Sequence, residues 1–149
     1  MCVDSELAKE IRGFCIGFLT RREHSQQELL NKLALKGYEC SATQSVVDKL
    51  AEEGWQSDDR FAESYARYRI KKGFGPVKIA YELRQRGVVG FELEPVVLDL
   101  ADGWLDLLQQ LYHKKYADEQ ALSQKDRLKR SRFLQQRGFS HEMIKTVLK

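Results

Sequence analysis

The sequence predicts an all-α protein made of three tandem three-helix repeats in an elongated, curved array. Apolar residues recur near every 3.6 positions along the chain, with no alternating strand pattern. One helix-ending pattern also returns at a period of about fifty residues, the signature of a repeat architecture. Breakers are scarce as well: the 149 residues include only two prolines and ten glycines.

Three segments carry the period: QQELLNKLALKGY (26–38), PVKIAYELRQRGV (76–88) and DRLKRSRFLQQRGF (126–139). Their glycines, Gly37, Gly87 and Gly138, are 50 and 51 residues apart. Leu33, Leu83 and Leu134 each lie four positions before a glycine, and Lys36, Arg86 and Arg137 just before it. A cation there suits the negative end of a helix, and glycine suits a left-handed C-cap. Downstream, Val46–Val47, Val96–Val97 and Val147–Leu148 correspond, followed by Leu50 and Leu100 in the first two copies. Upstream, Ile11, Phe61 and Tyr112 each stand 26 residues before their glycine. The repeats are read as 1–56, 57–102 and 103–149.

Each repeat divides into three helices: 5–20, 25–36 and 41–53; then 57–72, 76–86 and 93–101; then 103–117, 124–137 and 140–149. Ser25-x-x-Glu28 and Ser41-x-x-Gln44 read as capping boxes, and Pro76 and Pro95 as first helical residues. Helices of about 18 Å packed 8–10 Å apart would extend three repeats over roughly 60–75 Å. One compact nine-helix globule is the alternative.

Charge is segregated along the chain. Residues 1–56 hold seven Lys/Arg against nine Asp/Glu, residues 57–102 eight of each, and residues 103–149 ten against five. A basic last third favours an anionic partner, either DNA or an acidic protein surface, although a solvated helix face has the same composition. Cys2, Cys15 and Cys40 lack paired spacing, which argues against a disulfide scaffold and a cysteine zinc site. Asp4 and Glu6 precede any apolar run, unlike a secretory signal, and no apolar stretch approaches a membrane span. The expected location is the cytoplasm.

Residues 57–88 are the most specific stretch, SDDRFAESYARYRIKKGFGPVKIAYELRQRGV. Its Asp59, Phe61, Ala62, Tyr65, Arg69, Gly73, Ile79, Leu83, Arg86, Gly87 and Val88 fill the pattern of the RecX family, which this chain resembles over nearly its whole length. The resemblance implies three tandem three-helix repeats and a regulator of the RecA recombinase, and the chain is expected to be a monomer. Such a regulator sits in the groove of the RecA–DNA filament, where the family limits ATP hydrolysis, strand exchange and repressor self-cleavage. DNA repair, the SOS response and recombination would be its setting. The third repeat departs from the first two, because Arg130 stands where they have Leu29 and Ile79. That change either exposes the position or makes the face a binding surface.

Candidate binding residues follow from helical position. Lys125, Lys129 and Arg132 share one face at i, i+4 and i+7, opposite Leu134. Lys114, Lys115 and Arg130 add charge nearby in sequence. In the second repeat, Arg60, Arg67 and Lys71 form a flanking row, to which Lys72, Lys78 and Arg84 are added. Such rows contact phosphates or carboxylates while their stems cover apolar surface. Arg86 and Arg137 have a competing duty at helix ends. Phe61, Tyr65 and Tyr68 make an apolar stripe, read as core rather than a base-stacking platform. Trp55 and Trp104 are read as packing anchors.

Catalysis finds no constellation. His24, His113 and His141 are scattered, and GFGP (73–76) lacks the Gly-Lys-Ser/Thr of a phosphate loop. Asp58–Asp59 fits a helix start better than a metal pair. No enzyme activity, cofactor or metal is expected. The leading function is therefore a regulator acting on the RecA filament. A direct binder of single- or double-stranded DNA is the alternative, since basic tri-helical units dock on DNA as helix-turn-helix modules do.

Overall fold

The computed structural model describes residues 5–39, 41–117 and 121–148. Among them are nine helices and no strand. In order these are α1 (Ser5–Arg21), α2 (Gln26–Leu35), α3 (Ser41–Glu52), α4 (Asp58–Lys71), α5 (Pro76–Gln85), α6 (Glu94–Leu100), α7 (Trp104–Lys115), α8 (Gln124–Gln136) and α9 (His141–Val147). Every helix end lies within two residues of its predicted place. The predicted helix end at 149 and the readings of Cys2, Asp4 and Cys40 fall outside the described residues.

The starts and stops have local causes. Ser25 and Glu28 form the predicted capping box: the Glu28 amide donates to Ser25 Oγ at 3.1 Å and the Ser25 amide to Glu28 Oε1 at 3.2 Å. No Ser41–Gln44 capping bond occurs among the described residues. Helix α3 begins at Ser41 itself, and Gln44 Nε2 donates forward to Asp48 at 2.8 Å. Pro76 opens α5 as predicted, whereas Pro95 is the second residue of α6, after Glu94. Gly37, Gly87 and Gly138 take φ of +94°, +85° and +100°, the left-handed conformation that spares only glycine a steric cost.

The contacts divide the chain into two units: residues up to Ser64 with Arg84–Val89, and Tyr65–Leu83 with Gly90 onward. In the first, α1 packs on α2 and α3 around Ile11, Cys15, Leu29, Leu33, Val47 and Leu50, all buried. Burial pushes the Cys15 thiol up to about 11, so it stays protonated at neutral pH. In the second unit, α9 packs on α7 and α8 around Leu108, Tyr112, Leu134, Phe139 and Ile144. Ala66, Ile70, Ile79, Leu83, Val96 and Val97 are buried there too. The repeat positions behave alike: Leu33, Leu83 and Leu134 are buried, as are Ile11, Phe61 and Tyr112.

Two aromatic expectations are corrected. Tyr68 is 54% exposed rather than core, because the buried face of α4 runs through Ala62, Ala66 and Ile70 and leaves Tyr68 at its edge. Trp55 is 44% exposed and does not anchor packing, whereas Trp104 packs partly buried on the Leu108 cluster.

A buried polar cluster sits in the first unit. His24 Nδ1 lies 3.1 Å from the Arg22 carbonyl oxygen, and Nε2 lies 2.9 Å from Lys32 Nζ. Asp58 joins it from α4, its Oδ1 accepting from the Gln26 amide and from Gln56 Nε2, each at 3.0 Å. The acidic pair thus opens a helix as expected, and Asp58 also ties that helix to α2.

Candidate binding surface

The predicted basic residues fall into two groups, those already engaged within the protein and those left in solvent. Arg60 belongs to the first. Its Nε donates to Glu23 at 3.0 Å, and Nη2 donates to the Gly54 and Trp55 carbonyls at 2.8 and 3.2 Å. Arg67 pairs with Asp99 at 3.1 Å. Arg130 neither points outward nor leaves a gap at the apolar position it replaces. Its Nη1 donates to the Tyr112 hydroxyl at 2.8 Å, and its guanidinium stacks 4.2 Å from the Tyr116 ring centroid. Burial pushes the Tyr116 phenol up while the Arg130 charge pulls it down, and the net shift is upward.

The second group is exposed. Lys125, Lys129 and Arg132 project from α8 into solvent, and no ion pair engages them among the described residues. Lys114, Lys71 and Arg84 are exposed as well. Three lysines lie over aromatic rings: Lys72 5.4 Å from Tyr68, Lys78 5.4 Å from Phe74, and Lys115 4.5 Å from Phe133. On its own unit, then, α8 supplies an exposed cationic face through Lys125, Lys129 and Arg132, with Asp126 beside it in the first turn.

A cluster that the spacing arguments missed centres on Phe74. Arg69, Arg137 and Lys78 approach its ring to 3.8, 4.6 and 5.4 Å. Arg69 is held by Glu82 through two bonds of 2.9 Å, and the Tyr65 hydroxyl donates to the same carboxylate at 3.0 Å. Arg137 reaches the Lys72 carbonyl at 3.1 Å. The signal was present in the sequence as a phenylalanine between two glycines, GFG, which reads as punctuation unless its neighbours in space are known. No group of His, Cys, Asp or Glu among the described residues is arranged to hold a metal ion. None of the described helices is long and apolar enough to cross a membrane.

Comparisons with known proteins fit this architecture repeat by repeat. The family description "RecX, first three-helix domain" matches residues 12–50, the second such domain residues 57–90, and the third residues 103–148. Regulatory protein RecX of Halorhodospira halophila is 35% identical over 140 residues, 94% of this chain and 87% of that protein. The chain belongs to the RecX family. RecX of Pseudomonas fluorescens strain SBW25 is 35% identical over 138 residues, 93% of this chain and 89% of the relative. RecX of Ectopseudomonas mendocina is 35% identical over 147 residues, covering 99% and 97%. The fold is shared with the crystal structure of RecX from Lactobacillus salivarius, at a TM-score of 0.72 and 18% identity over 97% of this chain and 96% of that one. Membership of this family of regulatory proteins, which is not an enzyme family, supports a regulatory role.

Proposed function

We propose that this chain regulates the RecA recombinase by binding the RecA–DNA filament in its groove and inhibiting its ATPase, strand-exchange and repressor-cleavage coprotease activities. The reading rests on the match of all three repeats to RecX regulatory proteins. The surface that supports it is the cationic face of α8. Among the described residues no ion pair engages Lys125, Lys129 or Arg132, and exposed cations steer and hold polyanionic partners. Lys114, Lys115, Lys71, Lys72, Lys78 and Arg84 extend this set, and Arg60, Arg67 and Arg130 belong to it with part of their hydrogen-bonding capacity already used within the protein. The repeats take the spans 1–56, 57–102 and 103–149, and the protein works in the cytoplasm without a cofactor.

Charge reversal tests this reading. The triple variant Lys125→Glu, Lys129→Glu, Arg132→Glu keeps its helical spectrum and loses most of its inhibition of RecA's DNA-dependent ATPase. Undiminished inhibition by the folded variant would remove α8 from the contact. An equal loss of binding to bare DNA and to filaments would favour direct nucleic-acid binding instead.

A further inference from the structure

The last carbonyls of any α-helix lack intrahelical donors and must find partners elsewhere. In this protein two glycine turns solve that problem at the same place in the repeat, one with side-chain donors and one with backbone amides. At the end of α5, the Arg86 carbonyl accepts from Ser25 Oγ at 2.7 Å and the Gln85 carbonyl from Gln27 Nε2 at 2.9 Å. At the end of α8, the Arg137 carbonyl accepts from the Gly75 amide at 2.7 Å and the Gly138 carbonyl from the Val77 amide at 2.9 Å. In each case the negative end of a second helix rests on the positive start of the second helix one repeat earlier. The fit is close: a Cβ on Gly87 would stand 2.7 Å from Gln27 Oε1, and one on Gly138 would stand 2.4 Å from Lys78 Cβ.

Among the described residues, two matching halves of this joint have no mate. The Gly37 turn ends α2, and a Cβ there would meet nothing within 4 Å. Beside it Leu35 is 88% exposed, and no hydrogen bond to the Leu35 or Lys36 carbonyl occurs among the described residues. The other half is the start of α8. Leu128 lies ten residues before Gly138, as Gln27 and Val77 lie ten before Gly37 and Gly87. Leu128 is 54% exposed and borders a groove of about 280 Å³ between α8 and α9. Ile144 and Leu148 line the same groove, with Arg127, Lys145 and His141, and no carboxylate is among its lining residues.

We propose that the Gly37 turn of one copy docks into the α8–α9 groove of a second copy, so that the chain associates head to tail. Leu35 of the incoming turn covers Leu128, Ile144 and Leu148. The Leu35 and Lys36 carbonyls meet the amides of Gln124 and Lys125, which have no intrahelical partner because they open α8. Helix α8 begins fourteen residues before its glycine, where α2 and α5 begin eleven before theirs. The donors are therefore shifted by just under one turn, toward Gln124, which lines the groove. The two joints inside the chain select a second copy as the occupant, because each already seats a glycine turn of this same chain on a helix start. Such a contact is heterologous, joining unlike surfaces of the two copies, and an open row of copies keeps one unmated half at each end. A joint this small is weak between dilute chains and gains strength when copies are held side by side. The proposal concerns the protein alone and stands independently of the RecA reading.

Sedimentation of the purified chain from micromolar to millimolar concentration tests it. The weight-average mass rises with concentration and passes the dimer without a plateau. Leu35→Arg and Leu128→Arg each remain monomeric across that range, with unchanged circular dichroism. Mixed one to one, they form a species that stops at two chains, since the mixture offers one intact turn and one intact groove. If either arginine variant loses helical signal, Leu35→Ser and Leu128→Ser replace the pair. A wild-type mass independent of concentration overturns the proposal, as does a mixture of folded variants that fails to associate, the result expected of a two-fold dimer. Capture of an acidic peptide in the groove without self-association overturns it as well.

Discussion

Gly75 and Gly138 meet backbone to backbone: a Cβ on Gly75 would stand 2.6 Å from the Gly138 carbonyl oxygen. The glycine before Pro76 is thus required by packing in the second unit, not by a phosphate loop. Gly75→Ala should destabilise the protein by about 1–3 kcal/mol through overpacking. Gly17→Ala, in α1 with nothing near its added methyl, should instead stabilise by about 0.5–1 kcal/mol. Urea melts of the two variants check the contrast, and a loss of equal size at both sites would contradict it.

Leu83 is buried and Lys129 is exposed, and each sits where the repeat places it. Leu83→Ala should cost about 2–5 kcal/mol. Lys129→Ala should change stability by less than about 0.5 kcal/mol. Denaturant midpoints measure both.

The legible part of this fold was whatever recurs. Glycine, the leucine four places before it and the apolar residue 26 places before it marked the helix ends and the core, because each satisfies a local requirement at every copy. Alanine was harder to read. Ala62 and Ala66 define the buried side of α4, yet the larger aromatics nearby drew the inferred stripe toward Tyr68. The Phe74 cluster was illegible for another reason. Its cations come from α4, α5 and the turn after α8, and sequence spacing says nothing about which turns meet in space. Arg130 read as an outward charge because the arginine stem and the Tyr116 face that receives it are distant in sequence.

Arg69 and Glu82 form a two-pronged pair that is mostly shielded from solvent. Glu82→Ala leaves Arg69 and the Tyr65 hydroxyl without their acceptor. The expected loss is about 1.5–3 kcal/mol, the range for hydrogen bonds to charged groups. Glu82→Gln, which keeps the volume, should lose less. Thermal melts compare the two, and a loss near zero for Glu82→Ala would show that the pair contributes nothing net.

His24 supplies a pH dependence with a fixed sign. Burial is the largest influence on it and favours the neutral ring, so its folded value lies below the ordinary value of about 6.5. The unfolded chain then binds more protons between the two values, and stability falls as pH drops below about 6.5. Glu28 adds a second loss at lower pH. Burial opposes its charge, but hydrogen bonds from Arg22 and the Ser25 amide outweigh burial and hold it below the usual carboxylate range. Melting temperatures measured from pH 7.5 to 5 should fall for the native chain and change less for His24→Gln. Parallel curves would remove His24 as the cause.

The most direct measurement of the regulator account is a titration of this chain into RecA, with and without single-stranded DNA, at low and high salt. The readouts are RecA's ATPase rate and the chain's binding to filaments and to bare DNA. The account predicts inhibition at less than one chain per RecA and tighter binding to filaments than to bare DNA. It also predicts an effect that shrinks as salt shortens the Debye length from about 10 Å at 0.1 M. Binding to naked DNA as tight as to filaments, with RecA's ATPase untouched, would contradict it.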